Sequence, residues 1–423
     1  AVHEGIGQRT IDLITHNLAY WRRQREPLAM GMACLLLGRL LYYRAEPVAA
    51  LQSVEQAIVN FELCEACSEL VSARVLAADL NLDSGNVEGA QRHVRAAEET
   101  VRQVGDKAAH LELMLAQARL LFLQGRTAQA WRRVEIAFAG ASKLALHELA
   151  ARIQITACDS ARGEFDLARA EGWLNRSSAL RDSPLPNCWK TALNGRLALI
   201  AVRRGEHDLA VRLARSSLEG IAAPPVFAFS ARLAAAVTAA RQGDPGADAQ
   251  LAQLADMACQ IGNRDQEDIV RLFRIEMLAL TDRRDAARML WHELQEHGGT
   301  GFIRGSRLLW AHRLGIELPS ALTDLPGPIA LELAGDTAGA AQEWRAAGYS
   351  FMSMLAWLWT PGEAIEEALL HAREASDAMG TSAATEAILR LAKLRGVAMS
   401  GKAKKRGPYR ASRNHPLGLT QRE

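Results

Sequence analysis

The sequence predicts an all-α protein, a stack of helical hairpins, and three observations carry that prediction. Apolar residues make up 49% of the 423-residue chain and aromatic residues only 5%, a balance that favours Ala- and Leu-rich helices packed on one another. A small residue followed five positions later by alanine recurs at Ala45/Ala50, Gly85/Ala90, Gly125/Ala130, Gly163/Ala168, Gly205/Ala210 and Gly335/Ala340. Each marker closes one apolar helical run and opens another, as at Gly125 between the runs 111–123 and 128–138.

The first element of each unit is thus a helix ending at the marker, with glycine there to accept a positive φ that a Cβ would oppose. The second element is a helix whose alanine, just inside its start, lets the pair approach closely. Another small residue twelve past the turn (Ala57, Ala97, Ala137, Ala347) falls seven beyond the first, on the same helix face. The first five markers are separated by 40, 40, 38 and 42 residues, with Gly243 a further 38 on and Asp282 taking the turn position 39 after that. This pattern resembles the second half of a tetratricopeptide repeat, whose period is about 34 residues. The first-helix Trp and terminal Pro of that motif are mostly missing, so the resemblance is to a divergent array. It implies a tetratricopeptide-like helical-hairpin solenoid over residues 1–399, a superhelix of seven or eight pairs that bury their apolar faces only by stacking. Pro319, Pro326, Gly327 and Pro328 interrupt the pattern, and the 53-residue step from Asp282 to Gly335 places a long connection or bend near 315–334.

Constellations for catalysis are not found. The chain has no Gly-x-x-x-x-Gly-Lys-Ser/Thr phosphate loop, no Gly-x-Ser-x-Gly elbow and no Gly-x-Gly-x-x-Gly after a strand-like run, and no enzyme activity is expected. Cys64 and Cys67 have redox or metal spacing, but no second Cys or His pair lies near them, so they are read as two thiols on one helix face packing into the core. The six cysteines as a set are read as reduced core thiols. His292 and His297 are five apart, whereas a zinc-protease helix needs four. Trp344, Tyr349, Phe351, Trp357 and Trp359 cluster at helical spacing; they could grip a ligand, and core packing is the preferred reading. Arg203, Arg204, Arg212 and Arg215 are read as solvated outer faces.

Charge is uneven. The net is +2, yet Lys402, Lys404, Lys405, Arg406, Arg410 and Arg413 place six positive charges within twelve residues, leaving −4 on residues 1–401. Any phosphate contact is therefore expected at the C-terminal end, with these six side chains as DNA-backbone candidates. Residues 400–416 read as a basic flexible linker. Beyond them, Leu419, Thr420, Arg422 and Glu423 fit a helix start, with the Thr-x-x-Glu capping box at 420–423.

Asn414-His-Pro-Leu-Gly-Leu-Thr-Gln-Arg-Glu423 resembles the entry of the C-terminal helix-turn-helix domain in LuxR-type transcriptional regulators, with His415 an insertion in that pattern. Segments 328–336 and 340–348 resemble the last repeats before that domain in the large, ATPase-containing members, although Tyr349-Ser-Phe-Met352 lacks the Pro and Glu expected next. The resemblance implies a sensor and interaction solenoid that controls a DNA-binding domain opening at 417–423. It implies DNA as partner through that missing domain, an unidentified inducer or protein on the solenoid, and ATP only in an ATPase domain preceding residue 1; no cofactor is expected in this chain. The non-Met start and the early helical pattern from Ile11 lead to the expectation of a fragment cut from a longer protein. No apolar run approaches the roughly 18 residues of a membrane span, and no secretion signal is seen, so a cytoplasmic protein is expected. An interaction adaptor and the regulatory region of a multidomain signalling enzyme are the alternative readings.

Overall fold

The computed structural model describes residues 8–64, 67–176, 185–219, 223–294, 301–318, 325–362 and 364–399. Among them are twenty-one α-helices and no strand. In chain order they are α1 Gln8–Gln24, α2 Pro27–Tyr43, α3 Pro47–Glu62, α4 Ser68–Asp83, α5 Val87–Val104, α6 Lys107–Leu123 and α7 Thr127–Lys143. There follow α8 His147–Gly163, α9 Leu167–Asn175, α10 Asn187–Arg204, α11 His207–Leu218, α12 Pro225–Arg241, α13 Ala247–Ile261 and α14 Arg264–Leu280. The last seven are α15 Arg284–His292, α16 Gly301–Leu314, α17 Gly327–Leu333, α18 Thr337–Ala346, α19 Ser350–Leu358, α20 Ile365–Met379 and α21 Ser382–Arg395.

The chain is an all-α solenoid of helical hairpins, with α2 to α15 forming seven consecutive pairs. Its regularity comes from one turn used repeatedly. Positive φ occurs at Ala45, Gly85, Gly105, Gly125, Ala145, Phe165 and Gly205, positions that differ by multiples of twenty. At Gly125 the left-handed residue donates its N–H to the Phe122 carbonyl (3.1 Å) and Arg126 donates to Leu121 (2.9 Å), which closes the orphan carbonyls of α6. Phe165 does the same with Arg162 (3.1 Å) and Asp166 with Ala161 (2.9 Å). A non-glycine residue is strained there, and at Phe165 the offsetting gain is burial of its ring against Phe302, Trp344 and Tyr349.

This corrects the expected fourth turn. Gly163 is the last residue of α8, and Phe165 takes the left-handed position two residues later. The buried alanine of that pair is accordingly Ala170, while Ala168 is exposed. With this shift the turns at 45, 85, 125, 165 and 205 are uniformly forty apart. The alanine five past each, Ala50, Ala90, Ala130, Ala170 and Ala210, is completely buried.

The two helices of a pair have different surroundings. The first is sandwiched between its neighbours and the second covers the outside, so α4 buries ten of its sixteen residues and α3 only five of sixteen. The superhelix also folds back on itself. Tyr43 from α2 meets Phe227 of α12 at 4.8 Å between ring centroids, Gly262 lies against Pro47, and Arg264 of α14 lies against Gly85. On the C-terminal side, Ser382 donates to the Gln242 carbonyl and Met379 packs over Gly205.

Other expectations need local correction. Cys64 lies beyond the end of α3 and Cys67 caps α4, so the two thiols flank a connection and do not share a helix; the apolar period ends at Leu63. Cys259 is exposed, unlike the buried Cys34, Cys158 and Cys188. The interrupted stretch resumes as a helix at Gly327, with Pro328 in its first turn, where a missing N–H costs nothing; residues 319–324 lie outside the described residues.

Candidate functional site

Every residue singled out for DNA contact or for the helix-turn-helix start (Lys402, Lys404, Lys405, Arg406, Arg410, Arg413, Leu419, Thr420, Arg422 and Glu423) lies outside the described residues. The solenoid itself contains two sets of buried charge that the sequence reading did not isolate.

The first is a ladder on the first helices of successive pairs. Arg39, Asp79, Arg119 and Asp159 occupy one register on α2, α4, α6 and α8, forty residues apart and alternating in sign. Arg119 bonds Asp79 at 2.6 Å and Asp83 at 2.7 Å, and Arg152 bonds Asp79 at 2.9 Å. Tyr42 donates to Asp83 (2.8 Å), and Asp159 receives Arg196 and Arg162, each at 2.8 Å. A second row follows the same spacing, in which Ser72 donates to Glu112 at 2.8 Å and Arg152 lies 4.0 Å from Glu112. Burial pushes the Arg119 guanidinium down, but the facing Asp79 and Asp83 more than offset it, so it stays charged. For Asp159, burial raises the carboxyl, yet Arg196 and Arg162 bring it net below the ordinary value. Arg119 and Arg152 are thus paired with the carboxylates of Asp79 and Asp83, and Arg162 and Arg196 with that of Asp159.

The second set surrounds a cavity between α10, α12, α14, α16 and α19. Arg203 of α10 and Arg241 of α12 form its polar wall, Phe273 and Glu276 come from α14, Phe302, Ser306 and Trp310 from α16, and Tyr349, Phe351 and Met352 from the start of α19. The cavity volume is about 30 Å3, and the cavity is partly open to solvent. Arg241 is fully engaged: it bonds Glu276 at 2.8 Å and the Val202 carbonyl at 2.8 Å, and its guanidinium stacks 3.5 Å over Phe351.

Arg203 is not engaged in that way. It is 4% exposed, which overturns its reading as a solvated outer residue; Arg212 and Arg215 are exposed as expected. The reason is tertiary, since Leu123 in the same column two residues before its turn is exposed, whereas Phe302 of α16 and Tyr349 before α19 close over Arg203. Its Nε and Nη1 have no hydrogen-bond partner, and its guanidinium lies 4.5 Å from the Phe302 ring centroid. Burial, with Arg162 next and a smaller push from Arg241, lowers it to about 10 against the opposing effect of the neighbouring Tyr349 hydroxyl. Nearby, the Nε and Nη1 of Arg162 also have no hydrogen-bond partner, and burial raises the Tyr349 hydroxyl to about 12 although Arg203 beside it acts the other way. Arg241 is thus paired with Glu276, and Arg162 and Arg196 with Asp159, whereas Arg203 forms no salt bridge to a carboxylate among the described residues. An unmatched buried cation is costly, and what the arrangement can do chemically is receive an anion.

Of the aromatic cluster read from sequence, Trp344, Tyr349 and Phe351 are buried as core, and Tyr349 and Phe351 also wall the cavity. The segment Tyr349-Ser-Phe-Met352, noted for lacking Pro and Glu, therefore supplies three wall residues. Periodicity could have revealed the ladder had the forty-residue step been applied to charges as well as turns. No comparable signal marks Arg203, whose isolation depends on which helices close over it.

Among the described residues no group of three or more His, Cys, Asp and Glu side chains could hold a metal ion, and no helix is long and apolar enough to cross a membrane. No family model matches the chain, and no curated protein matches it in sequence.

Proposed function

We propose that this chain is the sensor and interaction region of a LuxR-type DNA-binding transcriptional regulator, acting in the cytoplasm without catalysing a reaction. The observation that carries the reading is the terminal motif: a basic stretch, Lys402 to Arg413, followed by the Asn414–Glu423 pattern with its capping box. Basic side chains there would contact phosphates without reading sequence, and base recognition would fall to a helix in the major groove. The solenoid supports the sensing half of the reading, because it has a cavity with a buried guanidinium, that of Arg203, on its wall. A ligand shifts such an equilibrium only by the difference in its affinity for the two states. ATP would belong to a separate ATPase domain, as in the large members of the resembled family.

The test is DNA binding by the natural protein carrying the sequence that follows Glu423. Sequence-specific footprinting is expected from that protein, whereas residues 1–423 alone should bind DNA weakly and lose binding steeply with salt. Absence of a groove-reading helix after Glu423, or absence of footprinting by the complete protein, overturns the regulator reading.

A further inference from the structure

We infer that the Arg203 cavity is a binding site for a small organic monocarboxylate with an apolar or aromatic body, its carboxylate against Arg203 and its body along Phe302, Trp310 and Met352. Three observations lead there. Arg203 is 96% buried by its 4% exposure, lines the cavity, and leaves Nε and Nη1 without partners. Of the two guanidiniums on the wall, Arg241 is paired with Glu276 while Arg203 has no salt bridge among the described residues, so the occupant that balances it is an anion. The rest of the wall is mostly hydrocarbon and aromatic ring, which rejects a fully polar ligand by leaving its groups unpaired.

Size separates the anions. A water position needs roughly 10–15 Å3 of such space, so the cavity's 30 Å3 holds about two, the number of oxygens on a carboxylate. A phosphate group, with three or four oxygens each wanting a donor, exceeds that space and meets a wall on which, beside Arg203, only the Tyr349 and Ser306 hydroxyls stand as small polar groups. The body of the molecule would lie at the open side of the cavity, along half-buried Phe302 and Met352. In the neighbouring ladder the Arg119 and Arg152 guanidiniums already have their carboxylates.

The inference deepens the sensor reading by naming the effector class, and it rests on that reading only for the consequence of binding. Its test therefore uses the 423-residue chain without DNA. Benzoate, phenylacetate and hexanoate are titrated by calorimetry and thermal shift, with benzamide, phenylacetamide and hexanamide as neutral isosteres and inorganic phosphate as a bare anion. At least one carboxylate is expected to bind saturably and raise the Tm, and its amide to bind about tenfold or more weakly, the ratio for one charge-assisted hydrogen bond. Arg203→Met should remove the difference between acid and amide while the unliganded variant melts no lower than the parent. Arg203→Lys, which keeps charge, should retain part of it. Acid and amide binding equally, phosphate matching the best carboxylate, unchanged affinity in Arg203→Met, or no saturable response up to about 10 mM would each overturn the proposal. If Arg203→Met fails to fold, Arg203 is a structural cation held by Phe302, and the proposal then stands or falls on the acid-to-amide ratio of the parent chain. Failure here leaves the DNA reading intact, and failure of the footprint leaves this site intact.

Discussion

The ladder on α2 to α8 and the cavity around Arg203 are made from the same residue types on the same kind of sandwiched helix, yet they are electrostatic opposites. In the ladder, a forty-residue repeat alternates Arg and Asp, and Arg119 pairs with the Asp79 of the preceding hairpin. From α10 onward the alternation lapses: Leu199 stands where the next Arg would be, and Arg203 appears two residues before its turn with no acid opposite. A repeat therefore makes buried charge tolerable when its sequence alternates in step with its stacking. Where the alternation stops, the leftover charge becomes available to something else.

Removing a ladder cation should have the largest effect. Arg119→Ala leaves Asp79 and Asp83 facing each other, and a loss of about 2–3 kcal/mol in chemical denaturation is expected, below the roughly 3–5 of a fully buried pair because Arg119 is 27% exposed. A loss under about 0.5 kcal/mol would place the ladder with ordinary surface pairs.

Arg203→Met should move stability the other way. The variant removes an uncompensated charge and keeps an apolar stem against Phe302, so a gain of about 1–2 kcal/mol is expected at neutral pH. Loss of stability of that size would mean that the ring contacts, and not an absent anion, balance the guanidinium, and the contrast between the two regions would disappear.

Asp265 sharpens the comparison at the point where the two regions meet. It stands on α14, half-buried, and burial first, then Asp83 and Asp268, raises its carboxyl to about 6 despite Arg119. The folded chain thus holds this proton more tightly than the unfolded chain, whose aspartate titrates near 4. Stability from this group is full below about pH 4, falls as pH rises through about 4 to 6, and stays lost above. Asp265→Asn should accordingly stabilise by about 1–2 kcal/mol at pH 7 and by nothing at pH 4, as urea denaturation at both pH values would show. An equal gain at both would remove the ladder's carboxylates as the cause.

The hairpin order was legible because turn and packing chemistry are local. A residue with positive φ and an alanine five positions on are separated by one turn of chain, and glycine and alanine announce both. Where another residue did the same work the signal failed: Phe165 at the fourth turn was hidden because its ring is fixed by Phe302, Trp344 and Tyr349, more than a hundred residues away. Cys64 and Cys67 do not share a helix because both fall in the connection between the end of α3 at Glu62 and the start of α4 at Ser68, and the apolar period up to Leu63 does not mark that boundary.

The sequence by itself determined the all-α hairpin array, its forty-residue step, the buried alanines and the ladder's alternating charges, since each follows from helical geometry repeated at constant spacing. Only the tertiary structure decided that Arg203 is buried and unmatched while Arg212 and Arg215 face water. Whether a guanidinium keeps its hydration depends on what the curved array brings over it, and for Arg203 that is α16 and α19, which are separated from it by long stretches of chain.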